Sequence, residues 1–173
     1  MYESLRYTDE YDKSLGIAGM TVAIYACDGE RCIAEVSLEE GEESLVFTPE
    51  TFYAGNPRFS AKIAWNQLMH EFHLISGMVL GNVMCRCMLA DKPVSRDILD
   101  DIRDFIFEQG HDRCELDDDE IDEIFNKDAQ YFRRLFSHPT VADVTTNLAG
   151  TLRLQRRMTA GDLFDQLSRL SSF

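Results

Sequence analysis

The chain has 173 residues, about one domain on a prior of roughly 150 residues each, and a compact chain of this size buries about 70% of its unfolded surface. Hydrophobic residues make up 45% and charged residues 28%, which excludes a disordered tail, a collagen-like repeat and a membrane bundle. The formal charge of −14, from 17 basic and 31 acidic residues, sets a field that repels phosphate and disfavours nucleic acid and anionic lipid as partners.

The segment Met1 to Lys13 holds Glu3, Asp9, Glu10 and Asp12 without an apolar run, so it reads as neither a signal nor a transit peptide. Cys27, Cys32, Cys85, Cys87 and Cys114 are odd in number and scattered, which suits reduced thiols in a cytoplasmic protein. The most apolar stretch, Leu74 to Cys85, falls well short of the ~20 residues that span a bilayer.

Met20 to Cys27 and Arg31 to Leu38 are apolar and β-branched and flank Asp28-Gly29, the pattern of an antiparallel hairpin. Ser44 to Phe47 supplies a third strand after an acidic loop (Glu39, Glu40, Glu42, Glu43), and Thr48-Pro49 then begins a turn or short helix. After Asn56-Pro57 the spacing becomes helical, and Ser60 is placed to cap a helix over Ala61 to Leu89. Its middle is apolar on every side, which only an enclosed helix tolerates, and Gly77 and Gly81 form a notch for a neighbouring backbone.

Ser95 caps the next helix, with the stripe Ile98, Leu99, Ile102, Phe105 and Ile106 and an end near Gly110. Asp117 and Glu120 have capping-box spacing, with Leu116 and Ile121 as a hydrophobic staple, and open a helix that buries Ile124, Phe125, Phe132, Leu135 and Phe136. Pro139 begins another, reaching Arg156 or Arg157, and Thr159 caps a last one that buries Leu163, Phe164, Leu167 and Leu170. The expected fold is α+β, one domain over residues 1–173. A small N-terminal antiparallel sheet of about three strands (the β-rich part, 20–55) precedes about five helices (60–171), one of them central and buried.

Chemical motifs are sparse. His70 and His73 stand at i and i+3 rather than the i and i+4 of a zincin, and His111 and Cys114 make half a zinc site in a loop. These four are weak metal candidates without a third ligand, so no metal and no cofactor is expected. The run Glu115 to Glu123 fits no register of the calcium loop, for want of its glycine. There is no P-loop, no G-x-G-x-x-G after a strand, no G-x-S-x-G and no catalytic Cys-His signature, so no catalytic residue is assigned.

What remains is charge. Asp97, Asp100, Asp101 and Asp104 occupy the side of their helix opposite Ile98, Ile102 and Ile106, and Asp97, Asp101, Asp104 and Glu108 are the candidate binding acids of this helix. From Pro139 onward, four arginines (Arg153, Arg156, Arg157, Arg169) against three aspartates leave +1, the one mildly basic stretch. The acids and Arg153, Arg156 and Arg157 are the expected binding residues of a non-catalytic acidic protein-binding module, an adaptor, inhibitor or regulatory subunit. Its expected partner is a protein or a second copy, with no nucleic acid and no membrane. The alternative is a metal-dependent phosphohydrolase of the nucleotide-pyrophosphatase type, in which carboxylate pairs on successive helices hold magnesium. That reading requires Asp101, Asp104, Glu120 and Glu123 to converge.

Overall fold

The computed structural model describes residues 3–52 and 60–170, without the side chains of Ala61 and Arg113. The Asn56-Pro57 boundary lies outside the described residues. Six helices, α1 (Glu10–Ala26), α2 (Ala61–Leu89), α3 (Arg96–Cys114), α4 (Asp118–Phe136), α5 (Pro139–Gln155) and α6 (Ala160–Leu167), accompany β1 (Ile33–Ser37), β2 (Leu45–Phe47) and β3 (Arg157–Thr159). The fold is α+β with helices dominating: of the described residues, 71% are helical and 7% in strands.

The expected first strand, Met20 to Cys27, is instead the last two turns of helix α1 and its C-cap, Cys27. Asp9 starts that helix by accepting a hydrogen bond from the Asp12 N–H, and every residue from Ser14 to Ile24 is buried. A segment enclosed on all sides shows neither a period of 2 nor one of 3.6, so composition alone does not separate strand from helix. Asp28-Gly29 ends the helix rather than turning a hairpin. Asp28 adopts φ 58°, and the Gly29 N–H returns to the Ile24 carbonyl at 2.9 Å, so the chain leaves through a left-handed residue as helix ends commonly do. The β-rich part therefore starts at Ile33, the α-helices among the described residues number six rather than five, and two of them, α1 and α2, share the centre.

Those two run antiparallel through a contact between small residues. A Cβ on Gly19 would lie 2.3 Å from the Gly81 carbonyl oxygen, and one on Gly81 would lie 2.5 Å from the Ala23 Cβ. The notch at Gly81 is therefore backbone against backbone, whereas Gly77 faces the Phe132 ring of α4, 3.2 Å from where its Cβ would stand. α2 is long and apolar enough to cross a membrane, yet most of its apolar window is buried, and the helix packs against α1, α3 and α4.

β1 is the middle strand, antiparallel to β2 and to β3. β3 was not expected. It is three residues between two helices, too short for alternation to register, and it seats Met158 opposite Val36, both buried. Gly110 does not end α3; it admits Ile121, whose Cδ1 would be 2.7 Å from a Cβ there. The helix continues one turn to Cys114 and stops at Glu115, φ 51°. Both capping boxes, Asp117 with Glu120 and Thr159 with Asp162, are formed. In α6 the buried face is Leu163 and Leu167, one turn apart; Phe164, expected inside, is 58% exposed, and Leu170 is partly buried against the core.

Arg86 fastens the N-terminal segment to this centre. Its Nε and one terminal nitrogen donate to the two Asp12 oxygens at 2.7 Å. The other N–H groups reach the carbonyls of Ser4 (3.0 Å) and Arg6 (2.5 Å) and Asn82 Oδ1 (3.2 Å), and the guanidinium lies 4.9 Å from the Tyr7 ring centroid. All five donors of the fork are used. Burial alone would raise the Asp12 carboxyl, but hydrogen bonds from Arg86 and Thr8 hold it below its ordinary value.

Candidate binding face

Helix α3 presents Asp97, Asp101, Asp104 and Glu108 as one stripe, because their spacings of four, three and four residues return to the same side. Opposite them Ile102 and Ile106 are fully buried. Asp101 is the least exposed of the four: it accepts the Ser4 N–H at 3.0 Å, and that bond holds its carboxyl below the usual range. Asp97, Asp104 and Glu108 are exposed.

The adjoining α4 adds to the same sign of charge. Its first turn holds Asp118, Asp119 and Glu120, which complements the helix dipole. Residues 95–123 contain thirteen acids and three arginines, a local charge of −10 in a chain of −14. Arg103 is committed within the pair of helices, forked onto Asp122 at 2.8 Å and 4.5 Å from the Phe107 ring centroid. Arg96 approaches Asp100 at 3.9 Å on the surface. Asp97, Asp104, Asp112 and Asp119 are exposed and make no ion pair among the described residues.

The C-terminal arginines behave differently. Arg156, in a left-handed conformation at the end of α5, pairs with Glu10 at 2.8 Å and Glu39 at 3.4 Å, and these hydrogen bonds raise its pKa. Arg157 meets Glu42 at 2.5 Å and Glu35 at 3.5 Å. Arg153 stacks 5.3 Å from the Tyr11 ring centroid. Their partners come from α1, β1 and the 39–43 loop, so that loop is an ion-paired connection rather than a merely solvated one. Among the described residues no ion pair joins Arg153, Arg156 or Arg157 to the α3–α4 acids.

The four carboxylates that a phosphohydrolase would bring together have separate engagements. Asp101 holds Ser4, Asp104 faces solvent, Glu120 accepts the Asp117 N–H at 3.0 Å, and Glu123 pairs with Lys127. Among the described residues no three His, Cys, Asp or Glu side chains group as a metal site requires. His70 and His73 part company: His70 lines a cavity of about 370 Å³ with Cys32, Glu50 and Glu71, while His73 Nδ1 lies 3.2 Å from both Asp128 oxygens. His111 and Cys114 are in α3 rather than a loop; His111 reaches Asp118 at 2.9 Å and Cys114 is buried in the core.

One grouping of chemical interest was not legible. Asp128, the partner of His73, is close enough to act on the charge of Cys27, whose Sγ would be 3.5 Å from a Cβ on Gly77. The hydrogen bond to Asp128 raises His73 against the opposing effect of burial. Burial, helped by Asp128 and Asp28, pushes the Cys27 thiol up to about 12. A thiol in that range is protonated at neutral pH, which leaves it without the thiolate a nucleophile needs. No family model, no curated protein and no solved structure matches this chain.

Proposed function

We propose that the chain is a non-catalytic acidic protein-binding module, with the outer face of α3 and the start of α4 as its contact surface and a basic protein surface as its partner. The observation that carries this reading is the separation of charge. Ten of the fourteen net negative charges lie in residues 95–123, and four exposed acids there, Asp97, Asp104, Asp112 and Asp119, make no ion pair among the described residues. Such a field accelerates encounter with positive surfaces and is screened over ~8 Å at physiological salt. The same field disfavours nucleic acid and membrane surfaces. Self-association through Arg153, Arg156 and Arg157 is the weaker version, because it must break the pairs that Arg156 and Arg157 make with Glu10, Glu35, Glu39 and Glu42. The phosphohydrolase reading draws no support from the dispersed carboxylates.

The test is affinity capture from cell extract at low and high ionic strength, beside a variant carrying Asp97→Asn, Asp104→Asn, Glu108→Gln, Asp112→Asn and Asp119→Asn. A protein retained at low salt, released as salt rises and lost with the variant is the expected result. Capture indifferent to both salt and the substitutions would remove the basis of this reading.

A further inference from the structure

Beneath the N-terminal segment, between α1, α2 and α3, lies an open cavity of about 310 Å³, at the small end of the range of ligand sites. Met20 of α1, Ile75, Met78 and Val79 of α2, and Phe105 of α3 supply an apolar lining, and Leu5 of the N-terminal segment faces them. Polar bonds restrain that segment from collapsing into the space. The Ser4 N–H is held by Asp101 and the Thr8 N–H by Asp12 at 2.8 Å, while the Ser4 and Arg6 carbonyls are held by Arg86. Moving Leu5 inward would break bonds that apolar contact replaces poorly.

Three polar side chains, Tyr7, Asn82 and Gln109, share the lining, and the first two, bonded to each other, show which hydrogen-bonding group is left for a ligand. Asn82, 6% exposed, accepts from Arg86 and donates to the Tyr7 oxygen at 2.7 Å. The Tyr7 oxygen is thus the acceptor in that bond, which leaves its own O–H hydrogen without a partner among the described residues. Burial raises the Tyr7 pKa, so the group stays a donor. The nearby cation is spoken for, since every Arg86 donor is engaged; a carboxylate ligand would have to displace Asp12. We propose that this cavity is a binding site for a small, neutral, largely apolar molecule bearing one hydrogen-bond acceptor, such as a carbonyl, that takes the Tyr7 proton.

The probe is prodan, a neutral naphthalene carrying a ketone, titrated into the full chain and followed by its emission. Saturable one-to-one binding with a blue shift is expected. Met78→Trp, which fills the cavity, weakens it at least ten-fold. Tyr7→Phe weakens prodan about five-fold, the worth of one neutral hydrogen bond, and leaves 2-dimethylaminonaphthalene, which lacks the ketone, unchanged. Methyl NMR on the unsubstituted chain supplies the same test if a variant fails to fold: the Met20 and Met78 methyls shift and the Met158 methyl, buried at the sheet, does not. Absence of saturable binding, equal affinity across folded variants, or shifts confined to other methyls would overturn the proposal.

Discussion

The α1–α2 centre and the outer face of α3 and α4 use their residues in opposite ways. At the centre each feature is committed: Gly19 and Gly81 exist to let two backbones touch, and Arg86 spends all five donors on Asp12, Asn82 and two carbonyls. On the outer face, Asp97, Asp104, Asp112 and Asp119 meet no cation among the described residues. Charges that a fold uses are paired where burial makes unpaired charge costly. Charges left at the surface contribute little to stability, and their effect is on encounter with other molecules.

This contrast predicts a descending series of stability effects. Gly81→Leu drives a side chain into the Gly19 backbone and the Ala23 methyl and destabilises by ~1–3 kcal/mol or more, read as a lower denaturant midpoint; an unchanged midpoint would mean the crossing is loose. Arg86→Ala leaves Asp12 and two carbonyls without their donor and costs about 2–3 kcal/mol, with Arg86→Lys recovering only part, because an ammonium cannot reproduce the fork. Chemical denaturation of both variants gives the comparison, and equal stability of Lys and Arg at this position would argue against the forked geometry.

His73 sits between the two extremes. Its pKa is raised above 6.5 by Asp128, so the pair's contribution is fully present below about pH 6.5 and disappears as pH rises through the raised value. His73 is 40% exposed, and solvent screening holds the difference between wild type and His73→Gln under ~1 kcal/mol. Melting curves over pH 5.5 to 8.5 would show the two proteins converging toward alkaline pH; a gap that widens instead reverses the assignment. Smallest is the five-site amide variant of the outer face, expected within about 0.5 kcal/mol of wild type, with any change upward as repulsion is relieved. A large loss there would show those acids to be structural.

Local signals were legible where the physics is local. Ser60, Ser95, Asp117 and Thr159 each bond to a backbone N–H three residues on, and such caps are written in adjacent residues, so the starts of α2, α3, α4 and α6 follow from the chain itself. Helix α1 was hidden because burial from Ser14 to Ile24 removes the polar face that periodicity depends on. β3 was hidden because Arg157 to Thr159 becomes a strand only by meeting Glu35 to Ser37, some 120 residues away in sequence. The acidic stripe on α3 was visible as spacing, but the fate of the arginines was not. Nothing near Arg156 in sequence indicates that Glu10 and Glu39 will close on it. The cavity under the N-terminal segment draws Tyr7, Met20, Asn82 and Phe105 from four separate stretches, a grouping only the fold makes.

In the proposed complex the partner touches the outer acids of α3 and α4. Zero-length carbodiimide cross-linking tests it most directly, because it joins carboxylates to partner lysines only where the two are in contact. Mass spectrometry of the captured complex should locate the links at Asp97, Asp104, Glu108, Asp112 or Asp119. Links concentrated at Glu39 to Glu43 or at the N-terminal acids, with none in residues 95–123, would put the contact surface elsewhere than on α3 and α4.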